Sequence, residues 1–238
     1  MRMLRRLQPL LVVLALALSP LGPVACASQG PSPMQGCGSS GIPCLQGKAL
    51  VELETSKGKI QLSLDGDAAP LTAGNFVDLV RRGTYNGTVF HRVVREPIPF
   101  VVQGGDPQSA DPTVPADRLG TGSFVDPANG QPRLIPLEVF LQGESKPRYG
   151  EIISGPGQQT RLKLQHQRGA LAMARSADPN SASSQFYIAL NALPELDGRY
   201  AVFGRVTQGM DVVDNLLQGD KLIKATLLEG GTLVQDKP

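Results

Sequence analysis

Beyond residue 48, apolar and polar positions alternate along the chain. The apolar set lies on both sides of a turn at 56–58: Ala49, Val51, Leu53, Ile60, Leu62 and Leu64. A period of two places such side chains on one face of a β-strand, and a short turn between two such runs favours antiparallel pairing. This part of the chain is therefore predicted to form a β-hairpin.

Two segments have the helical period instead. The first opens at Pro70 and runs to about Arg82, just before Gly83; its apolar face is Ala73, Phe76, Val77 and Val80. Proline in the first turn and glycine after the last are typical helix boundaries. The second predicted helix is Met210–Leu217, with a buried stripe of Met210, Val213 and Leu217.

The remaining pattern predicts short strands and long loops. Further strands are expected near Val89–Val94, Phe100–Gln103, Ala170–Ala174, Phe186–Leu190, Ala201–Val206 and Ile223–Leu228. Asp111–Pro132 and Ser145–Thr160 are rich in Pro, Gly and polar residues, so we expect surface loops there. Many short strands with two isolated helices predict a mainly β fold. We expect a closed or nearly closed antiparallel barrel plugged by the helices.

The first 27 residues resemble a secretory signal peptide. A basic start is followed by nine apolar residues, Leu10–Leu18, and then by small side chains. Ala25-Cys26-Ala27 fits cleavage after Ala27, which gives a soluble exported protein. Val24-Ala25-Cys26 also fits the end of a lipobox with lipidation of Cys26, although Pro23 stands where Leu is usual. Both interpretations stay open, with an uncleaved anchor as a third, and all predict a periplasmic or lumenal location.

Three further features lie in the chain after the signal peptide: a predicted spacer, a pair of cysteines and a formal net charge close to zero. Residues 28–47 are rich in Gly, Pro, Ser and Gln and predict a flexible linker before a single domain at 48–238. In an oxidising compartment Cys37 and Cys44 could close a disulfide; the alternative is two free thiols. The formal charge of +2 becomes −1 without the three arginines of the signal peptide. A near-neutral chain lacks the basic surface that nucleic acid binding requires.

Three short segments carry the chemistry. They are Phe90-His91-Arg92 with Phe100–Asp106 behind it, then Ser184–Ile188, then Leu196–Gly204. In this order they resemble the cyclophilins, a family of peptidyl-prolyl cis–trans isomerases, and the resemblance runs from about Ala49 to about Gly230. It implies a closed eight-stranded barrel with a helix at each end, and an enzyme that assists the folding of exported proteins.

Prolyl isomerisation makes no covalent bond and moves no proton. A catalyst must stabilise a twisted amide, which requires a fixed hydrogen-bond donor beside an apolar pocket for the proline ring. By resemblance, Arg92 is the principal catalytic residue and Gln103 helps to position it. The resemblance also implies a substrate-binding set: Phe100, Val101, Ala174, Arg175, Gln185, Tyr187, Leu196 and Tyr200.

Several of these positions depart from the family pattern. Val101, Arg175 and Tyr200 replace the usual methionine, asparagine and histidine, and Tyr187 stands where the pocket usually has phenylalanine. Glu195 stands where many members have a tryptophan linked with cyclosporin binding. Three extra residues also lie between Arg92 and Phe100. These changes keep a rival hypothesis open, namely a non-catalytic module that binds proline-containing peptides or acts as a chaperone.

The resemblance and the metal-binding residue types together predict the cofactors and partners. His91 and His166 are the only histidines, are far apart in sequence and have no paired cysteine ligands, so no zinc site is predicted. We expect no metal or cofactor, a monomer, and partners that are unfolded or newly exported proline-containing polypeptides. Contact with a membrane is expected only through a lipid on Cys26. An unrelated barrel that binds a small ligand is a third hypothesis.

Overall fold

The computed structural model describes residues 36–37, 41–155 and 157–234. The expected signal peptide, the lipidation candidate Cys26 and most of the expected spacer lie outside the described residues. The described part is mainly β with two helices, as the pattern predicts. None of its helices is long and apolar enough to cross a membrane.

The described part of the chain contains twelve strands and two α-helices. The strands are β1 (Cys44–Thr55), β2 (Gly58–Asp65), β3 (Arg92–Val94), β4 (Val101–Gly104), β5 (Val125–Asp126), β6 (Gln131–Pro132), β7 (Glu138–Val139), β8 (Arg148–Tyr149), β9 (Ala170–Met173), β10 (Phe186–Ala189), β11 (Val202–Gln208) and β12 (Leu222–Val234). The helices are α1 (Pro70–Arg81) and α2 (Met210–Asn215). Eight strands form one antiparallel sheet in the order β12-β1-β2-β11-β9-β10-β4-β3.

The predicted hairpin is confirmed by β1 and β2. Leu53 lies opposite Ile60 and Val51 opposite Leu62, and all four side chains are fully buried. Glu52 and Glu54 point to the other face, where Lys59 donates to Glu52. The hydrophobic alternation therefore selects the register, because a slip of one residue would expose the whole apolar set.

The expected closure into a barrel is wrong, because the eight-stranded sheet is open with β3 and β12 at its edges. β3 has only three residues, which is too short to continue the ladder onto β12. The segment before it, residues 87–90, bonds to residues 219–222 instead. Val89 lies opposite Lys221 in an isolated bridge, and the Phe90 N–H donates to the Asp220 carbonyl at 2.9 Å. A few bonds thus span the gap between the two edges.

The first helix covers the core side of the sheet, and its predicted bounds are confirmed to within one residue. Ala73, Phe76 and Val77 are fully buried. The Phe76 ring lies 4.9 Å from Tyr85 and 5.4 Å from Phe186, measured between centroids. These aromatic contacts join α1 to β10, the strand that carries part of the site.

The backbone N–H groups at the N-terminus of α1 find their acceptor on β7, far along the chain. Ala69 offers no side-chain cap, but the carboxylate of Glu138 accepts from Leu71 N at 3.1 Å and Thr72 N at 2.8 Å. Burial raises the pKa of Glu138, which is 1% exposed. Unpaired helix N–H groups attract a negative charge, so this carboxylate replaces the missing cap.

The second helix differs from its prediction at its C-terminal end. It ends at Asn215, so Leu217 is 58% exposed and Leu216 is buried instead. The Arg95 guanidinium donates to the carbonyls of Val213 and Leu216, at 3.1 and 2.8 Å. Arg95 lies in the insertion between Arg92 and Phe100, and these bonds tie that insertion to the end of α2.

The first expected loop contains the strand pair β5 and β6, and the second contains β8, which pairs with β7 in the segment between the two loops. Residues 135–141 of that segment are buried, and Ile135, Leu137, Val139 and Leu141 belong to the hydrophobic core. At the other end, β1 begins at Cys44, four residues before the expected start of the domain at Lys48. Cys37 and Cys44 form a disulfide with Cα atoms 5.9 Å apart.

Candidate functional site

An open pocket of about 240 Å³ lies on the outer face of the sheet. Nine side chains line it: Arg92, Phe100, Val101, Gln103, Ala174, Arg175, Tyr187, Leu196 and Tyr200. All nine are predicted site residues. The tenth, Gln185, lines a neighbouring cavity of about 470 Å³ that shares Gln103, Ala174 and Arg175 with the pocket.

Strand register brings the polar and aromatic residues together. Arg92 on β3 lies opposite Gln103 on β4, which in turn lies opposite Tyr187 on β10. Residues directly opposite each other in a sheet share a face. The three side chains therefore form a row across neighbouring strands, although they are far apart in sequence.

A chain of hydrogen bonds holds the polar side of the pocket. Arg92 Nη1 donates to Gln103 Oε1 at 3.4 Å, and Gln103 Nε2 donates to Gln185 Oε1 at 3.1 Å. Gln185 Nε2 then donates to the carbonyl of Gly122 at 2.8 Å. Each amide has one donating and one accepting end, so the last bond orients both glutamines. The Gln103 oxygen is thereby directed at the guanidinium.

The Arg92 guanidinium is exposed at the pocket rim. Its Cζ lies 5.8 Å from the centroid of the Phe100 ring. Within the described residues no carboxylate forms an ion pair with it. Most of its N–H groups have no acceptor among the described residues, so they can donate to a bound ligand.

The other side of the pocket is apolar and aromatic. Val101 and Tyr187 are buried, while Phe100, Leu196 and Tyr200 are half-buried and face the opening. The Tyr187 and Tyr200 rings meet edge to face with centroids 5.9 Å apart. A concave surface of this kind accepts a small apolar ring.

The Tyr187 hydroxyl points away from solvent and is hydrogen-bonded. It lies 2.9 Å from His166 Nε2, and His166 Nδ1 lies 2.8 Å from Asp197 Oδ1. In the neutral imidazole, Nδ1 donates to the carboxylate and Nε2 accepts from the hydroxyl. Burial raises the pKa of Tyr187 well above its usual range, so the hydroxyl keeps its proton.

Arg175 lies between the two cavities with its guanidinium fixed. Nε and Nη2 donate to the Arg199 carbonyl at 2.9 and 2.6 Å, and Nη1 donates to the Ser176 carbonyl at 2.7 Å. The Cζ atom lies 4.6 Å from the centroid of the Tyr200 ring. The two substituted positions, Arg175 and Tyr200, therefore support each other by stacking.

Comparison with known proteins decides the family. A model described as cyclophilin type peptidyl-prolyl cis–trans isomerase matches residues 50–229, most of the chain. The chain belongs to the cyclophilin family. An isomerase of Schizosaccharomyces pombe is 34% identical to this cyclophilin over 191 residues, which cover 76% of this chain and 99% of the relative.

Two further relatives are longer. A Synechocystis protein named as a thylakoid lumen peptidyl-prolyl cis–trans isomerase is 38% identical over 199 residues, which cover 79% of this cyclophilin and 49% of the relative. A chloroplastic isomerase of Arabidopsis thaliana is 35% identical over 207 residues, which cover 79% and 44%. The cyclophilin thus spans about half the length of these two.

Solved structures agree on the fold. A cyclophilin from Cryptosporidium parvum superposes with a TM-score of 0.57 at 23% identity, over 77% of this chain and 99% of that one. One from Hirschia baltica gives 0.54 at 24% identity, over 77% and 75%. The sheet and the two helices of this cyclophilin therefore follow the family architecture.

Sequence reasoning missed two residues behind the pocket wall. It treated His166 only as an unsuited metal ligand and gave Asp197 no role. A signal was present in Tyr187, which stands where the family usually has phenylalanine. A buried hydroxyl needs a hydrogen-bond partner, and that need points to a second polar side chain nearby.

The remaining histidine lies directly before β3. His91 is 9% exposed, and burial lowers its pKa. It packs against Gly120, where an added Cβ would lie 3.2 Å from Nε2. Its ring does not line the pocket.

Proposed function

We propose that this chain catalyses cis–trans isomerisation of Xaa-Pro peptide bonds without a metal or cofactor. One observation carries the proposal. The exposed Arg92 guanidinium is aligned by Gln103 at the rim of a pocket that fits a proline ring. Family membership supports the same activity.

The barrier to this reaction is the partial double bond of the amide, about 18–20 kcal/mol. For Xaa-Pro bonds the two isomers are close in energy but exchange in tens to hundreds of seconds without a catalyst. In the twisted state the proline nitrogen has lost its conjugation and has a lone pair that can accept a hydrogen bond. A donor already aimed at that nitrogen stabilises the transition state more than either planar isomer.

The site supplies the parts that this mechanism needs. The apolar wall of Phe100, Val101 and Leu196 holds the proline ring while the acyl side turns. Arg92 supplies several N–H donors in one rigid plane. Gln103 accepts from Arg92 and so limits the guanidinium to the rim. A peptide that extends from the pocket toward the second cavity passes Ala174 and Arg175, which line both.

The rival function is binding of proline-containing segments without turnover. It predicts the same pocket but has no use for an exposed, aligned guanidinium. In a module that only binds, Arg92 would be free to pair with a protein carboxylate. Its exposed position among the described side chains favours the enzyme.

The cellular setting is part of the proposal. We infer export to a periplasmic or lumenal compartment, where the chain acts as a monomer on unfolded or newly exported proteins. The signal-like N-terminal segment and the Cys37–Cys44 disulfide support export. So do the names of the lumenal and chloroplastic relatives. A lipid on Cys26 would keep the domain at a membrane.

The test is an isomerase assay on the full chain. A cis-enriched Xaa-Pro peptide is followed with an isomer-specific protease, with and without excess chelator. Acceleration unaffected by chelator supports the proposal, and abolition by chelator contradicts the metal-free mechanism. Binding of an Ala-Pro dipeptide without any acceleration would favour the rival; a Cryptosporidium parvum cyclophilin has been crystallised in the presence of that dipeptide.

A further inference from the structure

A buried chain of three polar side chains lies behind the proline pocket, and the mechanism above does not use two of them. Tyr187, His166 and Asp197 are 5%, 1% and 6% exposed. Burying three polar side chains is costly unless each is hydrogen-bonded. Here each has a partner at 2.8–2.9 Å.

Tyr187 connects this set of three hydrogen-bonded side chains to the pocket wall. One face of its ring lines the pocket, and its hydroxyl ends on His166. The imidazole and phenol rings are nearly parallel, with an interplanar angle of 12° and centroids 6.0 Å apart. The hydrogen bond therefore acts in the plane of the phenol and fixes how far the ring extends toward the pocket.

Asp197 fixes the histidine in turn. Its Oδ1 atom lies 2.8 Å from both the backbone N and the Nδ1 of His166, so one carboxylate oxygen sets the ring orientation and the tautomer. Asp197 follows directly after Leu196, another wall residue. The Leu193 N–H also donates to the His166 carbonyl at 2.8 Å. The contacts between His166 and Asp197 thus hold both Tyr187 and Leu196, which line the pocket.

We propose that His166 and Asp197 are positioning residues of the proline pocket, acting on substrate binding through the Tyr187 hydroxyl. Neither residue lines the pocket. The inference rests on the proposed function, because it assigns the pocket to a proline ring. It predicts a specific dependence: His166 matters for binding only while residue 187 has a hydroxyl.

The test is a double-mutant cycle on KM. His166→Leu is made in the wild type and in Tyr187→Phe, and KM and kcat are measured on one Xaa-Pro peptide. In the tyrosine background, KM should rise by about 2- to 10-fold, which is the effect of one lost hydrogen bond, with kcat changed less. In the phenylalanine background the same substitution should change KM by less than about 1.5-fold, because no hydroxyl is left without a partner.

A purely structural role gives a different pattern. Val213→Ala is the matched control, since Val213 is fully buried on α2 and does not line the pocket. It should lower the unfolding temperature without changing KM. An equal rise of KM in both backgrounds, or no rise in the tyrosine background, overturns the proposal. If His166→Leu does not fold, the nearly isosteric Asp197→Asn takes its place in the same cycle.

The dissociation constant of an Ala-Pro dipeptide, measured by NMR titration, separates this inference from the proposed function. If the wild type binds the dipeptide but does not accelerate isomerisation, the proposed function fails. The double-mutant cycle is then measured with the dissociation constant in place of KM. Dependence on the hydroxyl then still supports the positioning role, and its absence refutes it.

Discussion

Arg92 is the residue whose loss separates catalysis from folding most clearly. Its side chain is exposed and makes one hydrogen bond of 3.4 Å and one ring contact at 5.8 Å. A long bond and an exposed cation–π contact are each worth at most about 1 kcal/mol. Arg92→Ala should therefore lower the free energy of unfolding by no more than about 2 kcal/mol.

The effect on catalysis should be larger. Removing one preorganised donor from a transition-state site typically lowers the rate by a factor of about 10²–10³, or about 2.7–4 kcal/mol. Arg92→Ala should lower kcat/KM by this factor. Arg92→Lys should recover only part of it, because an ammonium group is a point charge without the planar set of donors that Gln103 aligns.

The assay is protease-coupled isomerisation, paired with urea unfolding of each variant. Arg205→Ala is the control, because Arg205 is exposed on β11 and does not line the pocket. It should leave kcat/KM unchanged. A folded Arg92→Ala protein with wild-type kcat/KM would refute the assignment, as would an equal loss in the control.

Three other predictions follow from particular residues. Glu138→Ala leaves two buried helix N–H groups without an acceptor, at about 1–3 kcal/mol each, so urea unfolding should show a loss of about 2–6 kcal/mol; a loss below about 0.5 kcal/mol would contradict the capping role. Cyclosporin should inhibit weakly because Glu195 offers no indole ring, and Glu195→Trp should tighten inhibition while leaving peptide turnover nearly unchanged; tight inhibition of the wild type would contradict the placement of Glu195 at the rim. If Cys26 is lipidated, the protein should fractionate with membranes, and Cys26→Ser should release it with its isomerase activity intact; an unmodified N-terminus at Ser28 in intact-mass analysis would rule lipidation out.

The local elements could be predicted from the sequence because each has its own period. The alternation in β1 and β2 and the 3.6 spacing in α1 both appear in the structure. Composition and periodicity predicted the first and last residues of these elements less reliably. Cys44 and Leu45 look like spacer residues in sequence, yet both are buried in β1 because β12 pairs with them. Leu217 fits a helical stripe in sequence, but the helix ends before it.

The site residues were predictable for a different reason. The segments around Arg92, Phe100, Gln185 and Leu196 resemble one family, and likeness to a family carries spatial information that a single chain's periodicity lacks. Strand register then explains why the residues meet, since Arg92, Gln103 and Tyr187 are opposite one another on three strands. The pocket itself is a product of that register.

By itself, the sequence determined the strands of the eight-stranded sheet, the first helix, the family and the pocket-lining residues. Tertiary structure alone decided that the sheet stays open, that Glu138 caps a helix 67 residues earlier, and that Tyr187 bonds to His166. The spacing of apolar residues relates positions that are close in sequence, so it can be read from the sequence alone. The partner of a buried polar group is set by which surfaces pack together, and that is decided only when the whole chain has folded.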